Sequence, residues 1–151
     1  MTIERETGGP WLATAILCEK VLEDKDGVLS VIRIVDRFFF TVAGPSAPQK
    51  MPPSPIQLTA LLSFKSGFAK GSFTVKLVPT TPSHVRMPEH SVPILLEGDD
   101  RGANVIINLG MMIKEDGLYW FDVLLDDRLV TRMPLRVVYQ RLSMTPPPAM
   151  A

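Results

Sequence analysis

The stretch that decides the fold lies near the middle of the chain and is Ile56-Gln57-Leu58-Thr59-Ala60-Leu61-Leu62-Ser63-Phe64-Lys65. Every second residue from Ile56 to Phe64 is apolar, and most of the residues between them are polar. Successive side chains of a β-strand point to opposite faces of its sheet. This spacing therefore predicts a strand that buries one face.

The same two-residue period recurs on both sides of this stretch, for example over 73–77 and 105–109, and no comparable stretch favours a helical period. Most of the 14 prolines and 10 glycines lie between the periodic runs, where they end strands. Segment 65–71 is predicted to be a hairpin loop whose Phe68 folds back on the core. The pattern predicts eight strands, at 11–23, 28–40, 56–65, 71–79, 91–97, 103–109, 117–125 and 128–140.

The connections between these strands favour antiparallel pairing. Asp24-Lys25-Asp26-Gly27 and Asp126-Asp127 are hairpin signals, since Gly27 and short polar residues tolerate positive φ. The segment 115–121 resembles the tyrosine corner of immunoglobulin-like domains, in which a tyrosine hydroxyl, here that of Tyr119, bonds back to the backbone. We therefore predict an all-β, two-sheet antiparallel sandwich that is immunoglobulin-like. Its predicted core contains Ile16, Ile32, Leu58, Phe64, Val75, Ile107, Tyr119 and Leu135.

Length and composition predict the domain organisation. The 151 residues suit one domain, predicted at 11–141, with a flexible N-terminal tail at 1–10 and a proline-rich C-terminal tail at 142–151. The lone cysteine, Cys18, follows an apolar run and is expected to be buried.

The charge balance argues against two classes of partner. The chain has 16 basic and 16 acidic residues, so it lacks the positive field that nucleic acid or an anionic membrane surface requires. The first residues carry acids without an apolar signal segment, and no apolar run approaches the roughly 20 residues of a membrane span. We expect a cytoplasmic protein.

Two segments carry a resemblance to a known family. The opening one is Ala15-Ile16-Leu17-Cys18-Glu19-Lys20-Val21 followed by Gly27-Val28-Leu29-Ser30-Val31-Ile32-Arg33-Ile34-Val35-Asp36-Arg37. The closing one runs from Gly117-Leu118-Tyr119-Trp120-Phe121 to Arg132-Met133-Pro134-Leu135. Together they resemble an uncharacterised bacterial family of unknown function, over about 10–140. The resemblance implies a β-sandwich of bacterial or phage origin, and it implies no activity and no functional residues.

The main functional hypothesis rests on the predicted strand 28–40. If Ile32, Ile34, Phe38 and Phe40 face the core, the opposite face presents an apolar surface with two arginines, formed by Arg33, Val35, Arg37 and Phe39. Arginine and aromatic residues are enriched where proteins meet. The sequence thus favours a non-catalytic binding or structural protein that acts through contacts with another protein or a second copy. The alternative is that the proline-rich loop 41–55 folds over this face and covers it.

Calcium binding is the first alternative function. If the strands run alternately up and down, one pole gathers the acidic residues Asp24, Asp26, Glu97, Asp99, Asp100, Asp126 and Asp127. Calcium takes six to eight oxygen ligands from flexible loops of this kind. Aspartate is also a common turn residue, and Lys25, Arg101 and Arg128 would neutralise much of the charge.

A hydrolase that uses loop histidines is the second alternative. His84 and His90 lie in the proline-broken segment 79–93, next to Ser83 and Ser91. The sequence has no Gly-x-Ser-x-Gly elbow, and histidines in a loop are commonly solvated. A pocket that joins either histidine with acidic residues would distinguish this hypothesis. Gly67 and Gly71 lack the strand–helix context of a phosphate cradle, and no cofactor is expected.

Overall fold

The computed structural model describes residues 8–142, and these form seven strands and no helix. The all-β prediction is confirmed. The strands are β1 (Trp11–Glu23), β2 (Leu29–Ile34), β3 (Arg37–Ala43), β4 (Ser54–Thr80), β5 (His90–Ile113), β6 (Gly117–Leu125) and β7 (Arg128–Leu142).

The centre of the fold is a long antiparallel ribbon made of β4 and β5, which pair from Ser54↔Ile113 to Leu77↔His90. The prediction of four separate strands here is wrong. The glycine-rich segments 65–71 and 98–102 lie opposite each other, and the register shifts between Lys65 and Lys70. Gly67 and Gly98 adopt φ values of 58° and 93°, so both strands bend at one place without ending.

The bent ribbon doubles back on itself, since Met112 near one end and Thr81 beyond the other line the same pocket. The hydrogen-bonded order is β2-β1-β4-β6-β7-β3, with β5 on the other side of β4. β1 pairs with the first half of β4 and β6 pairs with its second half, so the seven strands form one continuous, curled sheet.

Six of the eight predicted core residues are buried in the core: Leu58, Phe64, Val75, Ile107, Tyr119 and Leu135. Ile16 is half-buried because it pairs with Leu61, whose side chain alternates with the inward-facing Ala60 and Leu62. Ile32 was predicted wrongly and is 40% exposed. Phe68 was also predicted wrongly, since it lies at the bend of the ribbon and is 85% exposed.

The predicted strand 28–40 is two strands on different neighbours. β2 pairs with β1, and β3 pairs in parallel with β7. Between them, the Val35 amide donates to the carbonyl of Leu17 at 2.8 Å, and the Asp36 carbonyl accepts from the amide of Arg136 at 2.9 Å. The chain therefore crosses from one edge of the sheet to the other at Val35 and Asp36.

The predicted hairpin loop at 65–71 is wrong, because β4 continues through it, but the tyrosine corner and the other two turn predictions are confirmed. The hydroxyl of Tyr119 donates to the carbonyl of Glu115 at 2.6 Å, which is the bond expected of a tyrosine corner. Gly27 has a φ of 82°, and Asp126 and Asp127 have φ values of 46° and 63°, as tight hairpins of this hand require.

The ends of the domain differ from the predicted tails. Gly8 is buried, and its carbonyl accepts from the amide of Phe68 at 2.7 Å, so residues 8–10 belong to the domain. Leu142 is the last residue of β7. The remainder of both predicted tails, 1–7 and 143–151, lies outside the described residues.

Candidate functional site

The structure divides the predicted partner surface between two strands. Arg33 lies on β2, where its Nε is 2.7 Å from Oε2 of Glu19. Arg37 and Phe39 lie on β3, and Val35 lies in the crossing between the strands, half-buried against the core. The prediction of one continuous face formed by these four residues is therefore wrong, because the strand that would carry it ends at Ile34.

Two of the four residues remain together on a smaller surface, which we call the β3–β7 face. The parallel register sets Arg37 beside Arg136 and Phe39 beside Val138. Residues in register on neighbouring strands share a face, so these four side chains lie together on the outside of the sheet. Phe39 is 55% exposed and is its aromatic centre.

Loop 41–55 does not cover this face, and that alternative is also wrong. Met51 is buried in the core, and the carbonyl of Pro48 accepts from the hydroxyl of Tyr139 at 2.7 Å. Tyr139 is in register with Phe40, which packs against the core. The loop is thus anchored on the inner side of β7 and leaves Phe39 open.

The β3–β7 face has an unbalanced positive charge. Arg37 and Arg136 are side by side, an arrangement in which like charges repel. Within residues 8–142 no carboxylate lies within 4.0 Å of either guanidinium. Arg132, farther along β7, differs because its Nε is 2.7 Å from Oδ1 of Asp122 and its guanidinium lies 4.7 Å from the ring centroid of Trp120. Two of the three arginines are therefore free to bind an anionic group.

The predicted acidic pole does not form. β1 begins beside Lys65 at the bend of the ribbon and runs away from it, so Asp24 and Asp26 lie at the opposite end from the other acids. The predicted alternation of strand direction is wrong, because Glu97, Asp99 and Asp100 lie within a continuous strand and not in a loop between two strands. No group of three or more His, Cys, Asp or Glu side chains that could hold a metal ion occurs in the part of the chain that the structure describes.

Four of the seven predicted acidic ligands are engaged locally. Oδ1 of Asp26 accepts from the amide of Val28 at 3.2 Å, and Oε2 of Glu97 is 2.9 Å from Arg101. Oδ1 of Asp126 accepts from the amide of Thr74 at 2.8 Å, and Oδ1 of Asp127 is 2.8 Å from Nζ of Lys76. These bonds hold turns and neighbouring strands together, which is the structural role of aspartate in turns.

Among the described residues, neither loop histidine lines the cavity that contains Glu115. A cavity of about 420 Å³ where the ends of the ribbon meet is lined by Thr81, Ser83, Val85, Met87, Met112, Lys114, Glu115 and Tyr119, and neither histidine is among them. His84 is exposed, and His90 begins β5 in register with Leu77. The arrangement that would support the hydrolase hypothesis is therefore not formed by the described residues.

The carboxylate of Glu115, which lines this cavity, has a structural role. Its Oε1 accepts from the hydroxyl of Ser83 at 2.8 Å and from the amide of Ser83 at 3.0 Å. These bonds, the side-chain bond first, lower the pKa of Glu115 because they favour the carboxylate. Glu115 thus holds the loop after β4 against the corner that Tyr119 closes.

Cys18 is fully buried, as predicted, and its thiol lies 3.5 Å from the carbonyl of Thr59. Burial raises the pKa of this thiol, since it disfavours the thiolate. It is therefore a packing residue.

Sequence reasoning missed Arg136 and Val138, although their alternation on β7 with the buried Leu135 and Val137 is a signal that they face outward.

The chain is similar to known proteins in sequence and in structure. A model of a family of unknown function, DUF6941, matches residues 13–138. The chain belongs to this family. An immunoglobulin-like protein from Pseudomonas aeruginosa is similar in structure, with 16% identity over 83% of this chain and 97% of that protein, at a TM-score of 0.35. None of the curated proteins matches the chain. No helix long and apolar enough to span a membrane occurs within residues 8–142.

Proposed function

We propose that this DUF6941 protein is a non-catalytic protein-binding module that docks an acidic segment of a partner on its β3–β7 face. The observation that carries the proposal is the open Phe39 flanked by two arginines, Arg37 and Arg136, that have no carboxylate partner among the described residues.

The chemistry of the face selects the partner. Full burial of a phenylalanine side chain contributes about 1.5–3 kcal/mol, and part of the side chain of Phe39 is still available for burial. A carboxylate can bridge two guanidinium groups, and such charge-assisted bonds are among the strongest in proteins. A partner segment that carries acidic side chains next to an apolar one would satisfy both features.

The face is also suited to binding because its residues are held by the sheet. Backbone pairing fixes β3 against β7 along its whole length, from Arg37↔Arg136 to Ala43↔Leu142. Little conformational entropy is lost when a partner binds a surface whose backbone is already ordered. The half-buried Phe38 and Phe40 pack against the core and anchor the same strand from the inner side.

Selection from a displayed library of random peptides tests the proposal. We expect enrichment of peptides that combine acidic and apolar residues, with binding that weakens as salt is raised. The double variant Arg37→Glu, Arg136→Glu should lose these peptides, and Phe39→Ala should weaken them. Arg33→Glu is the control, since Arg33 is also exposed but lies on β2, off the face, and this variant should bind as the wild type does. Selection of peptides without acidic residues, or unchanged binding by the double variant, would refute the proposal.

A further inference from the structure

The free edge of β5 is the longest unpaired strand edge of the described chain. β5 pairs with β4 along one side, and no strand within residues 8–142 pairs with its other side. An open edge presents a row of backbone donors and acceptors that can template another strand, and natural proteins usually protect such edges with charges, prolines or bulges.

The two halves of this edge differ in that protection. The half from His90 to Arg101 contains Pro93 and four charged residues, Glu97, Asp99, Asp100 and Arg101. The half from Gly102 to Ile113 contains no charged residue and no proline. Its outward-facing Ile106 and Met112 are both exposed. The second half is therefore an edge without the devices that prevent pairing.

The sequence of this half is nearly symmetric about Ile106. It is Gly102-Ala103-Asn104-Val105-Ile106-Ile107-Asn108-Leu109-Gly110, so each residue has a chemical equivalent at the same distance on the other side of Ile106. In a two-fold symmetric antiparallel pair, residues equidistant from the axis lie opposite each other. Such a segment therefore fits an identical segment in the opposite direction.

We propose that two copies of this chain pair through the free edges of β5, antiparallel, with a two-fold axis at Ile106. This inference goes beyond the proposed function and uses an edge distant in sheet order from the β3–β7 face. The pairing makes one continuous sheet across the dimer. It gives the unpaired backbone groups of residues 102–110 hydrogen-bond partners.

The side chains on the outer face support this register. It sets the exposed Ile106 against its own copy, and Asn104 of each chain against Asn108 of the other. Oδ1 of Asn104 already accepts from the hydroxyl of Ser63 at 2.8 Å, and Oδ1 of Asn108 accepts from the hydroxyl of Thr59 at 3.2 Å. These bonds orient both carboxamides and leave their Nδ2 donors for the bonds across the axis.

The absence of charged residues from 102–110 also favours pairing with a second copy of the same segment. Two identical strands with charged edges repel each other wherever like charges meet, but residues 102–110 are neutral and meet without that penalty. On the inner face the register sets Val105 opposite Ile107, so the two buried rows continue from one copy to the next. Glycines lie opposite each other at both ends of the paired segment.

Sedimentation velocity over a range of protein concentrations tests the dimer. We expect the wild type to dimerise, and Ile106→Lys to raise the dissociation constant at least about tenfold, because two lysines would meet at the axis. Leu95→Lys is the matched control, since Leu95 is 58% exposed on the protected half of the same strand, and it should dimerise as the wild type does. Circular dichroism verifies that both variants are folded.

Cross-linking tests the position of the axis. Paired residues of antiparallel strands have Cα atoms about 4.5–5.5 Å apart, which a disulfide can bridge. Under mild oxidation Ile106→Cys should form a covalent dimer, and Leu95→Cys should not; the native Cys18 is buried and does not compete. A wild type that is monomeric at every concentration, or a dimer that withstands Ile106→Lys, overturns the proposal. A dimer without a cross-link at position 106 overturns the assigned axis.

Discussion

β2 and β3 are neighbours in sequence and both are mainly apolar, yet they have different environments. Ile34 on β2 is 69% exposed, whereas Phe38 and Phe40 on β3 pack against the core. β2 pairs with β1 only, whereas β3 pairs with β7, whose inner face contains the buried Leu135 and Val137. The burial of the apolar residues of a strand therefore depends on its partner strand rather than on the hydrophobicity of the strand itself.

The largest expected difference between the two strands is in core packing. Phe40→Ala should lower the free energy of unfolding by about 2–3 kcal/mol, less than a fully buried phenylalanine because Phe40 is half-buried. Ile34→Ala should change it by less than about 0.5 kcal/mol, as an exposed residue does. Urea unfolding followed by circular dichroism measures both. Equal losses of unfolding free energy in the two variants would contradict the different environments of β2 and β3.

Two tyrosine hydroxyls support different regions of the molecule: that of Tyr139 supports the side of β3, and that of Tyr119 supports the distant tyrosine corner. Tyr119→Phe removes a 2.6 Å bond to the carbonyl of Glu115, and Tyr139→Phe removes a 2.7 Å bond to the carbonyl of Pro48. We expect losses of about 1–2 kcal/mol for Tyr119 and about 0.5–1 kcal/mol for Tyr139, whose bond is exposed. Thermal or urea unfolding checks the order, and the reverse order would show that loop 44–53 is the more important support.

The dependence of stability on pH distinguishes the tyrosine corner from β2 and β3. The pKa of Glu115 is lowered in the folded chain below its usual 4.5, so its contribution to stability is complete above that pH. The contribution is lost as the pH falls through the folded-state pKa. Glu115→Gln should therefore destabilise the protein at neutral pH, by less than Tyr119→Phe, and have little effect at about pH 3. The loss from Phe40→Ala should persist at both pH values, and a Glu115→Gln effect that grows in acid would contradict the assignment.

The smallest expected effect is on the ion pair of β2. Glu19→Gln removes the partner of Arg33, but both side chains are exposed, and such pairs contribute less than about 0.5–1 kcal/mol. We expect a change near the lower limit of measurement, which salt reduces further. A large loss in urea unfolding would show that β2 is held by this pair rather than by its backbone pairing with β1.

Much of the fold could be predicted from local patterns. The two-residue period identified the strands from Ile56 to Phe64 and from Gly117 to Leu125, and the turn residues identified both tight hairpins. The bond of Tyr119 followed from the corner motif. These features depend on residues close in sequence, so the sequence contains their physical cause.

The failed predictions share one cause. Gly67 and Gly98 were interpreted as turn residues, but they lie on the two paired strands of a ribbon that bends without ending, where Gly67 is in register with Asp99. Whether a glycine ends a strand or bends it depends on the strand opposite. That error added strands and assigned the acidic residues to one pole. The Val35–Asp36 crossing was missed for the same reason, because its hydrogen bonds go to Leu17 and Arg136.

The candidate site was predicted in part. Arg37 and Phe39 were identified from their spacing, but Arg136 and Val138 join them only through the pairing of β3 with β7. The neutral run from Gly102 to Ile113 was visible in the sequence, but its meaning depends on β5 being an edge strand.

That this protein is all-β, where most of its strands lie, and which face of each central strand is apolar all follow from the amino-acid sequence, because side chains alternate along an extended backbone. The continuity of the central strands, the separation of β2 from β3, and the position of Arg37 beside Arg136 depend on tertiary pairing. Pairing between distant segments depends on how the whole chain buries its apolar faces together. No single segment contains that information.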